Sequence, residues 1–397
     1  ITTDYLEVRT STRYGASQNY TLCELKLYDY DDLEAKVEAL FADVSHSRLN
    51  EDVTEESIQA LIDRVNTLDP ESGEYHPHRE TILNDLNYAM QILKDGQASD
   101  PILVDNQITA AKGPASGFAQ ALSDYQPLGY TAKAGSTVIL YVEDLKGAAA
   151  QGSNVNLQLV ATQVHPEVAA WQSSAVQLKA GRNEVTVPRI GSYAKEAGGS
   201  LYLRYTGEKG AKEYAVRVIG GTRIPVLNLD GVTGSERTAR IEAYVEELGA
   251  YAGSVSALHE STHSDIGYAY QANECFLNVT EITMENMMFS VPATQVWAAI
   301  SANPTAKLAN SIAAMEQEID YFYQFKGLNK AATDADAYPN TRLNIRYHQM
   351  FTGAFMYAGG KHIGIEWGSV VGLFQTNPIT TDANGKKTGG NYSGWGV

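Results

Sequence analysis

The chain has 397 residues, 44% of them hydrophobic and 19% charged, with a formal net charge of −17 and a pI near 4.9. A chain of this size makes roughly two to four domains and has ample material for a large core. Its acidity, with no stripe of Lys or Arg, speaks against nucleic acid and anionic membrane as partners, since both need clustered positive charge.

Tyr (24) far outnumbers Phe (9), which suits wet surfaces and sugar contacts and equally suits a β-rich chain. Cys23 and Cys275 are the two cysteines, too far apart to suggest a disulfide framework. No run of about 18 apolar residues is present, so no membrane span is expected. With neither a Met start nor a signal peptide, the chain reads as a processed or excised piece.

The first elements are strands. Alternation over 5–10 and 20–28 predicts two of them, and the run CELKLYDYD resembles the closing strand of a discoidin-like (coagulation-factor type C) sugar-binding sandwich. Residues 1–31 are therefore expected to end such a domain. From residue 32 the period changes. Leu33, Val37, Leu40 and Phe41, then Ile58, Leu61, Ile62 and Val65, then Ile82, Leu83, Leu86, Ala89 and Leu93 recur at helical spacing. Thr54 with Ser57, and Asp69-Pro70, mark starts and breaks. Residues 32–100 thus read as a small helical bundle acting as a spacer.

Residues 101–220 read as a β-sandwich. Strands are expected at 136–142, 155–162, 175–179, 184–187, 200–205 and 214–219, punctuated by Gly-rich turns. Beyond 220 helices and strands mix. A strand at 225–229 precedes a helix over about 235–263, a strand block at 275–291 and a helix near 307–325, so 221–397 reads as an α+β domain.

One metal-like motif occurs, His259-Glu260-Ser261-Thr262-His263. Histidines at i and i+4 share a helical face, where zinc could take both rings and the Glu serve as general base. The apolar stripe Ile241, Val245, Leu248, Ala252 and Val255 carries both histidines, so they point inward, as a metal helix or as two core histidines would. A third ligand is wanting. Glu274 and Glu281 are the downstream acids, and both fall in a segment patterned as a strand. The motif is therefore expected to be structural, with a metallopeptidase built on His259, Glu260 and His263 kept as an alternative. His348 and His362 stand alone and read as structural or solvent-facing. Gly359-Gly360-Lys361 lacks the spacing of a phosphate loop, and no Ser or Cys lies in an elbow pattern.

Several stretches in order carry a wider resemblance. YQPLGYTAKAG at 125–135, LKAGRNEV at 178–185, GGSLY at 198–202 and the segment 342–368 around GAFMYAGG are similar to the enhancin-like zinc metallopeptidases, peptidase family M60, which degrade mucins and other glycoproteins. The resemblance covers 101–397. It implies a multidomain protein in which the β-sandwich precedes an α+β zincin-like (gluzincin) domain, cut short before its metal helix. The family's HExxH site follows a Trp-Gly segment like Gly394-Trp395-Gly396 and is expected just after Val397, so no catalytic residue carries over. Zinc is implied for the complete enzyme and none for this chain. A substrate-aligning edge strand is implied at 359–367, giving Gly359, Gly360 and His362 as candidate substrate-binding residues. The expected partners are glycoproteins, mucins or glycans, and the expected location is secreted or at a bacterial cell surface. The rival is a non-enzymatic, adhesin-like carbohydrate-binding protein.

Overall fold

The computed structural model describes residues 32–392 apart from 44–45, 71, 97, 111–121, 164–170, 191–196, 211–212, 263–268, 350–355 and 360. The strands expected in 1–31, together with His263, Gly360 and Gly394-Trp395-Gly396, lie outside the described residues.

Three helices come first: α1 (Leu33–Glu38), α2 (Glu55–Val65) and α3 (Arg79–Asp95). Thr54 caps α2 by accepting from the Ser57 N–H, while Ser57 Oγ accepts from the Thr54 N–H. The inward residues fall at helical spacing, Ile58 and Val65 on α2 and Ile82, Leu86, Ala89 and Ile92 on α3.

Ten strands follow. They are β1 (Ile102–Leu103), β2 (Leu122–Ser123), β3 (Tyr125–Lys133), β4 (Thr137–Asp144), β5 (Asn154–Ala161), β6 (Val176–Lys179), β7 (Gly181–Thr186), β8 (Gly198–Tyr205), β9 (Tyr214–Ile219) and β10 (Thr222–Arg223). All but β2 form a sandwich of two sheets, ordered β1-β9-β4-β7 and β10-β3-β8-β5-β6. Its core takes Val138, Leu140 and Val142 from one sheet and Leu157, Leu159, Leu201 and Leu203 from the other. On β4, Tyr141 points the opposite way and joins the core of the helices.

The remaining elements are β11 (Val226–Asn228), α4 (Gly234–Thr262), β12 (Thr280–Thr283), β13 (Met287–Val291), α5 (Ala293–Ile300), α6 (Pro304–Phe325), β14 (Arg342–Tyr347), β15 (Met356–Gly359), β16 (His362–Ile365), α7 (Trp367–Leu373), β17 (Asn377–Thr381) and β18 (Lys387–Asn391). A mixed sheet runs β11-β12-β13-β14-β16-β15, and β2 pairs with the start of β14. One face is covered by helices: Ile282, Phe289, Ile345 and Ile365 pack with Leu248, Val296, Ile312 and Val370. The other face meets the sandwich, where Met288 packs with Tyr125, Val160, Trp171 and Tyr202.

Three expectations need correction. The strand block at 275–291 starts at Thr280, because Asn278 folds 275–279 into turns by bonding Ala272 O and Thr294. Glu274 therefore lies in a turn and not in a strand. The outermost strand of the C-terminal sheet among the described residues is 356–359, with 362–365 one place further in. The expected edge strand at 359–367 is thus the inner arm of a hairpin followed by α7.

Candidate functional site

The site begins with the alternation in β14. Leu343, Ile345 and Tyr347 face the helices and the apolar core. Arg342, Asn344 and Arg346 face the other way, and His348 follows them. On a one-sided sheet such a face would meet water. Here it is covered by the sandwich, leaving the two arginines 1% and 4% exposed and Asn344 and His348 at 0%. β8 meets it in kind. Leu201 and Leu203 enter the sandwich core, and Tyr202 and Arg204 point toward the C-terminal sheet.

Strand register puts the polar residues in one row. Glu281 pairs with Ser290, Ser290 with Arg346, Arg346 with Gly364, and Gly364 with Tyr357. Tyr202 reaches across from the sandwich to the middle of that row. Its hydroxyl accepts from Arg346 Nη1 at 2.9 Å and donates to Glu281 Oε1 at 2.5 Å. Ser290 Oγ donates to the same carboxylate oxygen at 2.8 Å. Arg346 Nη2 donates to Thr162 Oγ1 at 3.2 Å, and its guanidinium lies 4.9 Å from the Trp171 ring centre and 5.1 Å from that of Tyr202. Burial pushes the Glu281 carboxyl up, against the pull of Arg346 and the hydrogen bonds from Tyr202 and Ser290. The backbones come close at this point: a Cβ on Gly199 would sit 2.3 Å from the Thr162 carbonyl oxygen.

Next along the row is the outer hairpin. Gly364 leaves room for the Tyr357 ring, which a Cβ there would meet at 2.3 Å. The Tyr357 hydroxyl is 2.8 Å from His362 Nε2. The His362 ring lies 4.4 Å from Trp171 and 4.9 Å from His348, centre to centre. In the turn, Lys361 extends its Nζ to Asp124 Oδ1 at 2.9 Å, while Arg204 Nε takes Asp124 Oδ2 at 2.7 Å. Burial raises the Asp124 carboxyl, and the two cations more than reverse this, leaving it below the usual carboxylate range. Outside all of this, β15 presents Met356 to solvent and, among the described residues, an open strand edge. Such an edge can pair with an extended peptide.

At the start of β14, Arg342 Nη2 bridges Asp105 at 2.6 Å and Asp230 at 3.1 Å. The three line a cleft of about 680 Å³ that Gln126, Asn228 and Arg240 also border. Burial raises Asp230 to about 6, and the neighbouring Asp105 adds to the rise against the pull of Arg342.

Of the sequence candidates, Gly359 lies on the exposed outer strand. His362 is wholly buried in a cluster of tilted and edge-on rings with Trp171 and His348, so neither His348 nor His362 faces solvent. His259 is on the buried stripe of α4 with its ring 5.5 Å from Tyr270, and Glu260 is exposed. Among the described residues no group of three His, Cys, Asp or Glu side chains could hold a metal ion. His263, the second histidine of the motif, lies outside those residues. Glu281, weighed in the sequence as a ligand, is committed to Tyr202 and Ser290. Sequence reasoning missed Arg346, Tyr202, Trp171 and the Asp124–Lys361 pair. The signal available was the polar face of RLNIRYH and of SLYLRY.

No protein-family model matches the chain, and no curated protein matches it. Solved structures do. One containing the CBM32-1, CBM32-2 and M60 catalytic domains of Clostridium perfringens ZmpB superposes with a TM-score of 0.61 at 20% identity, over 88% of this chain and 33% of that one. The catalytic module of the C. perfringens metalloprotease ZmpA gives 0.51 at 17% identity, over 70% and 51%. The M60 catalytic domain of C. perfringens ZmpC in complex with the sialyl T antigen gives 0.50 at 18% identity, over 69% and 50%. The chain thus shares its fold with M60 metallopeptidase structures and spans a third to a half of their lengths.

Proposed function

We propose that the chain is the N-terminal portion of a secreted or surface-bound bacterial zinc metallopeptidase that hydrolyses peptide bonds in glycoproteins such as mucins. The observation that carries this reading is the fold shared with a ZmpB structure over 88% of the chain. The sialyl T antigen held by the ZmpC domain supports an O-glycoprotein as substrate class. Among the described residues no helix is long and apolar enough to cross a membrane.

In the complete enzyme, zinc on an HExxH helix expected after Val397 would supply a Lewis acid and an activated water. No step is routed through that ion. What this chain contributes is alignment. The edge of β15 pairs with an extended substrate, Gly359 ends that strand, and His362 opens the inner strand behind it, with Gly360 retained as a candidate on the sequence resemblance. Ordering a peptide beside the reacting centre lowers the entropic part of the barrier.

The test is the longer gene product incubated with an O-glycosylated mucin. Fragments are expected by mass spectrometry, lost with a chelator and restored by zinc. An intact mucin, together with glycan retention by 101–397 alone, would sink the protease reading in favour of the adhesin-like one. His259→Ala is expected to leave the zinc content of the longer protein unchanged. Loss of equimolar zinc in that variant would move the metal site to His259, Glu260 and His263.

A further inference from the structure

The hairpin β15–β16 is joined to its own sheet by a short ladder, Ile345–Tyr347 against Ile363–Ile365. A two-stranded element at an open edge is only marginally stable by itself. Ile363 and Ile365 anchor its inner strand in the helix-covered core, and on the opposite face it is anchored from the sandwich. Trp171 packs at a tilt against His362, which holds the Tyr357 hydroxyl on the outer strand. Asp124, between β2 and β3, holds Lys361 in the turn, and the ammonium lies 5.4 Å from the Tyr125 ring centre. Lys361 has φ +69°, a left-handed conformation that disfavours residues with a side chain. Glycine would fit there without strain. What lysine adds is a cation for Asp124.

We infer that Asp124, Lys361 and Trp171 are positioning residues, through which the sandwich sets the height and register of β15 and so the line along which an extended peptide pairs with it. The kinetic consequence rests on the metallopeptidase reading, and the structural consequence does not. The sandwich is then part of the substrate wall and not a passive neighbour. Lys361 is the informative position, because Lys361→Gly removes the anchor while relieving the backbone.

Hydrogen exchange on this chain tests the clamp. Lys361→Gly is expected to speed exchange at 356–359 and 362–365 by about tenfold or more, leaving α4 and β8 unchanged. Lys361→Arg is expected to restore protection, and Trp171→Phe to give an intermediate loss. Unchanged exchange in the hairpin of Lys361→Gly overturns the inference, as does an equal rise throughout the molecule. In the longer enzyme, Lys361→Gly is expected to raise KM for a glycopeptide roughly threefold to tenfold with kcat within about twofold. A cleaving enzyme whose KM does not move overturns the positioning role and leaves the protease reading standing. If the longer protein cleaves nothing, that reading falls, and exchange alone decides the clamp.

Discussion

Where the helices meet the sandwich, apolar side chains carry most of the contact, and Arg182 and Arg217, on either side of Tyr141 in the sheet, are ion-paired beside it. Tyr141 enters the helices' core beside Ile139 and Ile219, while Arg182 takes Asp95 at 2.6 Å and its N–H donates to Tyr88 Oη at 2.6 Å. Where the sandwich meets the C-terminal sheet, the charges are in the middle. Arg346, Glu281 and Tyr202 are all buried, as is Arg342 further along the same strand. The first joint draws its stability from apolar area together with the Arg182 and Arg217 ion pairs. At the second, each charge depends on one geometry, because an unpaired ion costs several kcal/mol there. A joint of that kind specifies position more than it adds stability. It lies directly behind the hairpin that the proposed function uses.

The sharpest way to break the contrast is to delete one arginine from each joint. Arg346→Ala leaves Glu281 buried without its cation and is expected to destabilise the protein by about 3–5 kcal/mol in denaturant unfolding. Arg182→Ala removes a side chain that keeps 18% of its surface exposed and is expected to cost about 1–2 kcal/mol. Equal costs would show that the two joints do not differ in kind.

A smaller effect is expected at the hairpin. Gly364→Ala drives a methyl into the Tyr357 ring, and the ring must leave His362 to make room. The expected cost is about 1–3 kcal/mol, read as lower thermal stability with early loss of protection at 356–365. A variant as stable and as protected as the parent would remove the row's outer end from the account.

The mildest test is pH. Burial raises the Asp95 carboxyl, and hydrogen bonds from Arg182, Tyr141 and Gln91 outweigh this to leave it lowered. Its contribution is present above the ordinary Asp range and is lost as pH falls through the folded value. Asp230 has the opposite sign. Raised from 3.8 to about 6, it binds its proton more tightly in the folded protein, so stability falls as pH rises through that window. Asp230→Asn is expected to gain about 1 kcal/mol at pH 7, with the gain vanishing near pH 4. A gain that does not change with pH would show that Asp230 carries no such linkage.

Much of the local structure was legible. Ile58, Val65, Ile82 and Leu86 repeat at helical spacing and are buried. The strands expected at 155–162, 200–205 and 214–219 match β5, β8 and β9 within a residue or two. The stripe on α4 placed His259 inward. α5 was not legible, since ATQVWAAI spans only eight residues, too short a window for its period to stand out.

The sequence by itself determined which residues share a face, because side-chain period follows from backbone geometry. RLNIRYH had to put Arg342, Asn344, Arg346 and His348 on one side. Only the tertiary structure decided that this side would be sealed. A polar face does not say whether water or another polar face will cover it. That depends on Tyr202, Thr162 and Trp171, which lie some 140 to 190 residues earlier and reach the seam only after the sandwich has closed.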